Sequence, residues 1–109
     1  LSAPDRLKLE AARSTRDDFL HQTAFDDIDT YTSLEKQHDM MQLIIAYYEK
    51  AAEALSEGAD INTLIDLPVR EQIGRFKYTE PEKVKEVFNE VSKQLEQELY
   101  DAKQAKEEF

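Results

Sequence analysis

The stretch Thr32-Ser33-Leu34-Glu35-Lys36-Gln37-His38-Asp39-Met40-Met41-Gln42-Leu43-Ile44-Ile45-Ala46-Tyr47-Tyr48-Glu49-Lys50-Ala51-Ala52-Glu53-Ala54-Leu55-Ser56-Glu57-Gly58 decides the fold class. Thr32 is followed three residues later by Glu35, the spacing of a capping box, so a helix is predicted to start there. Leu34, Met41, Ile44, Tyr48, Ala51 and Leu55 recur at helical spacing and trace one face, which Ile45 and Ala52 widen. Gly58 supplies the left-handed stop that ends such a helix.

On the C-terminal side, Asp60 can cap a short helix over residues 61–65. Asp66-Leu67-Pro68 then breaks the chain and restarts it, with Pro68 near a first helical position. Residues 69–77 read as another short helix, with Val69, Ile73 and Phe76 on one side. Thr79-Glu80-Pro81-Glu82 reads as a second capping box and opens a long final helix. In it Val84, Val87, Phe88, Val91, Leu95, Leu99 and Ala102 keep near-regular helical spacing. The charged residues beyond Ala102 are expected to fray.

On the N-terminal side, a first helix is predicted from about residue 4 to residue 20, with Ser2 as cap, Pro4 in the first turn and Asp5 at the positive end of the dipole. Leu9, Ala12, Arg13, Arg16 and Leu20 share a face that the two arginines interrupt. Between Gln22 and Ser33 the period fails, and residues that compete for backbone hydrogen bonds abound. Phe25, Ile28 and Tyr31 are too apolar for a solvated tether, so an ordered loop is expected. The predicted architecture is all-α, an irregular helical bundle of about three long helices plus short ones, with residues 1–109 forming a single domain.

Bulk properties restrict what such a bundle can do. The chain has 109 residues and a formal net charge of −10, a sign that repels phosphate backbones and anionic lipid. Nucleic-acid binding and direct membrane insertion are therefore not expected, and no apolar run approaches the ~20 residues needed to span a bilayer. Cysteine is absent, which removes disulfides and thiolate metal sites. The lack of an initiator Met suggests a piece of a longer chain.

Candidate chemistry is sparse. His21 and His38 do not form a His-Glu-x-x-His pair, and a surface or interface role is the default. Asp26, Asp27 and Asp29 lack the turn glycine and bidentate Glu of a calcium loop, so capping and turn roles are expected. Ser14, Ser33, Ser56 and Ser92 sit in helix or cap contexts rather than at a nucleophile elbow. The only two glycines, Gly58 and Gly74, do not form a phosphate-binding loop. Arg70, Arg75 and Lys77 form a local basic cluster, as readily a solvated or internally paired face as a docking site. No catalytic and no metal-ligating residue is expected.

Three segments resemble one family. Phe19-Leu20-His21-Gln22-Thr23-Ala24-Phe25-Asp26-Asp27-Ile28-Asp29-Thr30-Tyr31 is similar to the Phe-Leu-Gln-Gln-Asn-Ala-Phe-Asp-x-Val-Asp-x-Tyr run of the catalytic A subunit of archaeal-type and vacuolar-type rotary ATPases. Ser33-Leu34-Glu35-Lys36-Gln37 and Tyr48-Glu49-Lys50-Ala51 continue the likeness. Leu67-Pro68-Val69-Arg70-Glu71, followed by Arg75-Phe76-Lys77-Tyr78 and Pro81-Glu82, resembles the family's Leu-Pro-Val-Arg-Glu block. His21 and Thr23 depart from the pattern, standing where the family has Gln and Asn.

The resemblance implies the C-terminal helical domain of that subunit, downstream of a barrel and a nucleotide-binding domain that this chain lacks. It implies an ATP-driven or ATP-forming machine coupled to proton or sodium transport, at the cytoplasmic headpiece on the membrane periphery. Its partners would be B subunits, central-stalk subunits and the upstream nucleotide-binding domain. ATP or ADP with Mg would be bound by the parent, and neither by this segment alone. Phe25 is implied as an aromatic ring against the adenine with Gln22 beside it, since a flat apolar ring can stack on a base. Ser2 and Asp5, similar in place to the end of an acidic stalk-facing loop in the related F-type subunit, are implied to face the stalk. Apolar surface that would meet the upstream domain could also drive self-association of the isolated piece. The competing reading from the residues alone is an independent acidic helical adaptor.

Overall fold

Two long helices lie side by side and set the frame on which everything else is mounted. A computed structural model describes residues 1–19 and 30–105, and all regular structure within these residues is helical. Helix α1 covers Ala3–Ser14 and passes into a wider π-helical turn, Thr15–Phe19. Helix α2 covers Thr30–Ser56, and the short helices α3, Ile61–Ile65, and α4, Val69–Arg75, follow. Two single 3-10 turns, Phe76–Tyr78 and Pro81–Lys83, lead into α5, Val84–Ala105. The predicted bundle of three longer helices with short ones between them is what forms.

Helices α2 and α5 run parallel. Lys85, near the start of α5, pairs with Glu35 at 3.2 Å and Asp39 at 3.0 Å near the start of α2. At the other end, Lys103 pairs with Glu57 at 3.2 Å. Helix α1 lies against α2 in the opposite sense, with Ala3 and Pro4 beside Leu55 and Ser56.

The core is one cluster. Leu7 of α1 meets Met40, Leu43, Ile44, Tyr47, Ala51 and Ala54 of α2, with Leu64, Val69, Ile73 and Phe76 from the short elements. Val84, Val91, Leu95, Leu99 and Ala102 close it from α5, as their spacing predicts. Truncating a side chain as enclosed as Leu95, 1% exposed, costs about 2–5 kcal/mol.

Several local expectations are corrected. Ile44 and Ala51 of the predicted α2 stripe are buried, but at three other places the buried residue is the one before the predicted one: Met40, Tyr47 and Ala54 are buried where Met41, Tyr48 and Leu55 were expected, and Leu34 and Ile45 are exposed. Apolar residues stand at adjacent positions along α2, at 40/41, 47/48 and 54/55. The direction of α5 and the short helices, which the local period does not carry, selects the stripe. In α1, Leu7 is the buried residue, while Leu9, Ala12 and Arg13, and Arg16 in the turn that follows, are exposed. Arg13 faces Glu10 and Arg16 faces Asp17, so both arginines serve the surface.

The caps divide in the same way. Ser2 caps α1, its Oγ accepting from the Asp5 N–H at 3.3 Å, and Asp60 caps α3, accepting from the Thr63 N–H at 3.0 Å. Gly58 has φ 102°, and the Ala59 N–H returns to the Ala54 carbonyl, which closes α2 as expected. Neither predicted capping box starts a helix at its Thr. Helix α2 begins two residues before Thr32, and Glu35 turns to Lys85. The Thr79 box is replaced by the turn Pro81–Lys83, which Glu80 precedes in extended conformation with no side-chain cap.

Candidate functional site

The residues that could do something beyond packing gather where the short helices cross the long ones. Arg70 leaves α4 in its first turn and enters the angle between α1 and α2. Its Nη1 donates to Glu10 Oε2 at 3.1 Å and to the Ile65 carbonyl at 2.9 Å. Its Nη2 donates to Ser14 Oγ at 3.2 Å. The guanidinium also sits over the Tyr47 ring, 5.4 Å from its centre. One planar cation thus joins α1, α2, α3 and α4, a task that suits the fixed fork of Arg and not the point charge of Lys.

Tyr47 is the other half of this junction. Its hydroxyl donates to the Leu64 carbonyl at 2.8 Å, in the last turn of α3. Burial pushes the phenol up to about 12, so it stays neutral and keeps donating across the physiological range. This is a structural proton and not an acid–base catalyst.

A second junction lies at the turn following α4. Lys77 Nζ is 3.5 Å from Asp18 Oδ1 in the π-helical turn. Lys36 of α2, only 5% exposed, donates from Nζ to the Lys77 carbonyl at 3.1 Å and the Thr79 carbonyl at 3.0 Å. Gly74 permits the approach of the first partner, because a Cβ there would meet Asp18 Oδ1 at 3.2 Å. The basic cluster read from the sequence is therefore split. Arg70 and Lys77 are paired internally, and Arg75 is exposed.

The α4 N-terminus is held by a partner far away in the chain. The Val69 N–H donates to Glu98 Oε1 of α5 at 2.9 Å, while Gln94 donates to Glu98 Oε2 at 2.7 Å. No local sequence signal announces this cap. Arg70 is visible in the sequence only as a member of the basic cluster, and its grouping with Tyr47 and Glu98 leaves no local signal, because each acts across at least one element boundary.

Of the residues singled out in sequence, Ser2 and Asp5 sit together at the start of α1, both exposed, with Ser2 engaged as the cap. Phe25 and Gln22, like His21 and the three aspartates, lie outside the described residues. His38 is exposed on α2, and among the described residues no three His, Asp or Glu side chains gather as a metal site. Neither glycine is free to cradle a phosphate: Gly58 ends α2, and the Cα of Gly74 faces the Asp18 carboxylate. No helix among the described residues is long and apolar enough to cross a membrane.

The class defined by this geometry is a cross-braced helical domain whose polar groups tie elements to one another. The family model described as the C-terminal domain of V and A type ATP synthase matches residues 1–65. The chain is 52% identical over 99 residues to a V-type ATP synthase alpha chain of Acetivibrio thermocellus, covering 91% of this chain and 17% of that protein. It is 50% identical to the alpha chain of Thermoanaerobacter sp. strain X514, covering 87% of this chain and 16% of that one. It is 46% identical to that of Clostridioides difficile strain 630, covering 93% and 17%. The chain belongs to the V- and A-type ATP synthase family, as a relative of the C-terminal domain of its alpha chain. It spans about one sixth of the length of these relatives.

Proposed function

We propose that the chain is the C-terminal mechanical domain of the catalytic alpha subunit of a V/A-type rotary ATP synthase, residues 1–109 acting as one unit. It carries nucleotide-dependent motion from the upstream domain to the central stalk through the start of α1, around Ser2 and Asp5. It also lends the adenine pocket an aromatic face, Phe25, with Gln22 beside it. The observation that carries this reading is the 52% identity to an alpha chain across 91% of the residues.

The mechanical part is supported by shape and bracing. The principal extents are 50 × 28 × 16 Å and the radius of gyration is 14.6 Å, against about 13 Å expected for a compact chain of this length. The Arg70 and Glu98 ties join elements 29 to 60 residues apart, so a push on one end displaces the bundle as a body.

Phosphates and Mg belong to the upstream domain in this account, because both glycines of this chain are committed to helix geometry and to Asp18. This segment reaches nucleotide only through the base. The partners are the B subunits, the central stalk and the upstream domain, and the setting is the cytoplasmic headpiece, peripheral to the membrane.

Phe25→Ala in the assembled parent should weaken nucleotide affinity, and unchanged affinity refutes the stacking role. The isolated chain should show negligible ATP binding in calorimetry. Upstream coding sequence is a further test. A phosphate-binding loop a few hundred residues before Leu1 supports the parent, whereas an initiator Met just before Leu1 with no such loop favours the adaptor.

A further inference from the structure

Helix α2 carries two apolar stripes, and the core takes only one of them. Met40, Ile44, Tyr47, Ala51 and Ala54 are buried. Beside them Leu34, Met41, Tyr48 and Leu55 recur at intervals of seven, with Ile45 and Ala52 four residues after Met41 and Tyr48. This is the spacing of a seam that receives a second helix. Leu34 and Ile45 are 59% and 40% exposed, the other four are half-buried, and exposed His38 is the polar member of the strip. From residue 34 to residue 55 the strip is about 32 Å long at the α-helical rise.

The later half of the strip is a groove with two walls. Ala3, Pro4 and Leu7 of α1 face Tyr48, Ala52 and Leu55 of α2 across a cleft of about 340 Å³. Apolar surface that is continuous and follows one side of a helix is the form taken by sites that receive an amphipathic helix.

The charges at the edges select the kind of helix. Along the side nearer α5 stand Glu35, Glu49 and Glu53. Lys85 bridges Glu35 at 3.2 Å and Lys103 bridges Glu53 at 3.6 Å, while Glu49, exposed between them, is bridged by neither. On the other wall Lys8, one turn after Pro4, is exposed. The whole chain carries a formal charge of −10. A second copy would bring two surfaces of the same sign together, whereas a helix with Lys or Arg along one edge is drawn in.

The geometry points to the seam between α1 and the outer face of α2 as a docking groove for an amphipathic helix of another polypeptide. The apolar face of that helix lies on the strip, over Leu34 and Ile45, and its basic edge lies over Glu49. No nucleotide is involved, so the groove stands or falls separately from the adenine reading.

The probe is a synthetic helical peptide of about 20 residues, with Leu at i, i+3, i+4 and i+7 and Lys along one edge, titrated into the 109-residue chain by fluorescence anisotropy. It should bind saturably, and at least about tenfold more tightly than a Glu-edged peptide or a scrambled peptide of the same composition. Leu34→Asp and Ile45→Asp should each weaken it about tenfold, although each adds a negative charge that purely electrostatic attraction would reward. Glu49→Gln should weaken it severalfold and reduce its salt dependence. Leu9→Asp, on the side of α1 opposite Leu7, should leave it unchanged.

Leu34 and Ile45 are surface positions, so both variants should melt close to the parent chain; if Ile45→Asp does not fold, the more exposed Leu34→Asp decides. Absence of saturable binding, equal binding of the ordered and scrambled peptides, or full affinity in the Asp variants overturns the groove. Sedimentation at the titration concentrations should show a monomer. A concentration-dependent dimer that Leu34→Asp or Ile45→Asp dissolves would make a second copy the occupant and overturn the partner helix.

Discussion

Arg70 and Glu10 stand sixty residues apart in the chain, and their side chains meet at 3.1 Å, each about one-fifth exposed. The pair fastens the first helix to the fourth. The Glu10 carboxylate is only one of the four oxygen acceptors that the Arg70 guanidinium collects, so removing the guanidinium has more than a Coulombic effect.

Arg70→Ala should therefore destabilise the chain by about 2–3 kcal/mol, somewhat below the range for breaking a fully buried pair because solvent reaches both groups. Arg70→Lys should recover less than half of this, since an ammonium cannot span Glu10, Ile65 and Ser14 together. Urea unfolding midpoints at constant slope give both values. A loss under about 0.5 kcal/mol for Arg70→Ala, the value of one weak surface pair, would remove Arg70 from the centre of the bracing.

Alkaline titration isolates Tyr47. Its folded-state value is raised from 10.0 to about 12 by burial, so the neutral phenol is the form the fold prefers. The associated stability is fully present below pH 10 and is lost as the pH rises towards 12, at about 1.4 kcal/mol per pH unit. Tyr47→Phe should flatten that part of the profile and cost about 1 kcal/mol at neutral pH through the lost bond to the Leu64 carbonyl. An unchanged alkaline slope in the Phe variant would locate the effect elsewhere.

Gly58 holds φ 102°, a conformation that side chains resist. Gly58→Ala should cost about 1–2 kcal/mol and lower the melting temperature by roughly 5–10 °C. A rise in melting temperature would mean that the end of α2 rebuilds without the left-handed residue.

Glu98→Ala should cost about 1 kcal/mol, the value of a helix cap, although the residue lies in another helix. Exchange of the Val69 amide should accelerate in this variant, and an unaffected Val69 amide would contradict the cap.

The buried stripe of α5 was legible in the sequence because Val84, Val91, Leu95, Leu99 and Ala102 recur at helical spacing among mostly polar residues, which leaves one dominant face. It also carried Ser2, Asp60 and Gly58, whose roles depend on residues within a few positions. The stripe of α2 was not legible to the residue, since adjacent apolar pairs leave two faces open and the neighbours choose. The helix starts differ from the capping-box positions: α2 begins at Thr30, with Glu35 turned to Lys85, and a 3-10 turn separates Thr79 from α5. The Arg70, Glu98 and Lys36 ties are long-range and leave no local pattern. The stacking candidates Phe25 and Gln22 came from family resemblance alone.

The reach of Glu98 back to Val69 also fixes the order in which the domain can be finished. A ribosome releases residue 69 well before residue 98, so the first amide of α4 emerges without its acceptor and must wait in water. Capping of α4 is thus deferred to the arrival of α5, and chains ending before residue 98 should be cleaved sooner in α4 than the full 109 residues under limited proteolysis.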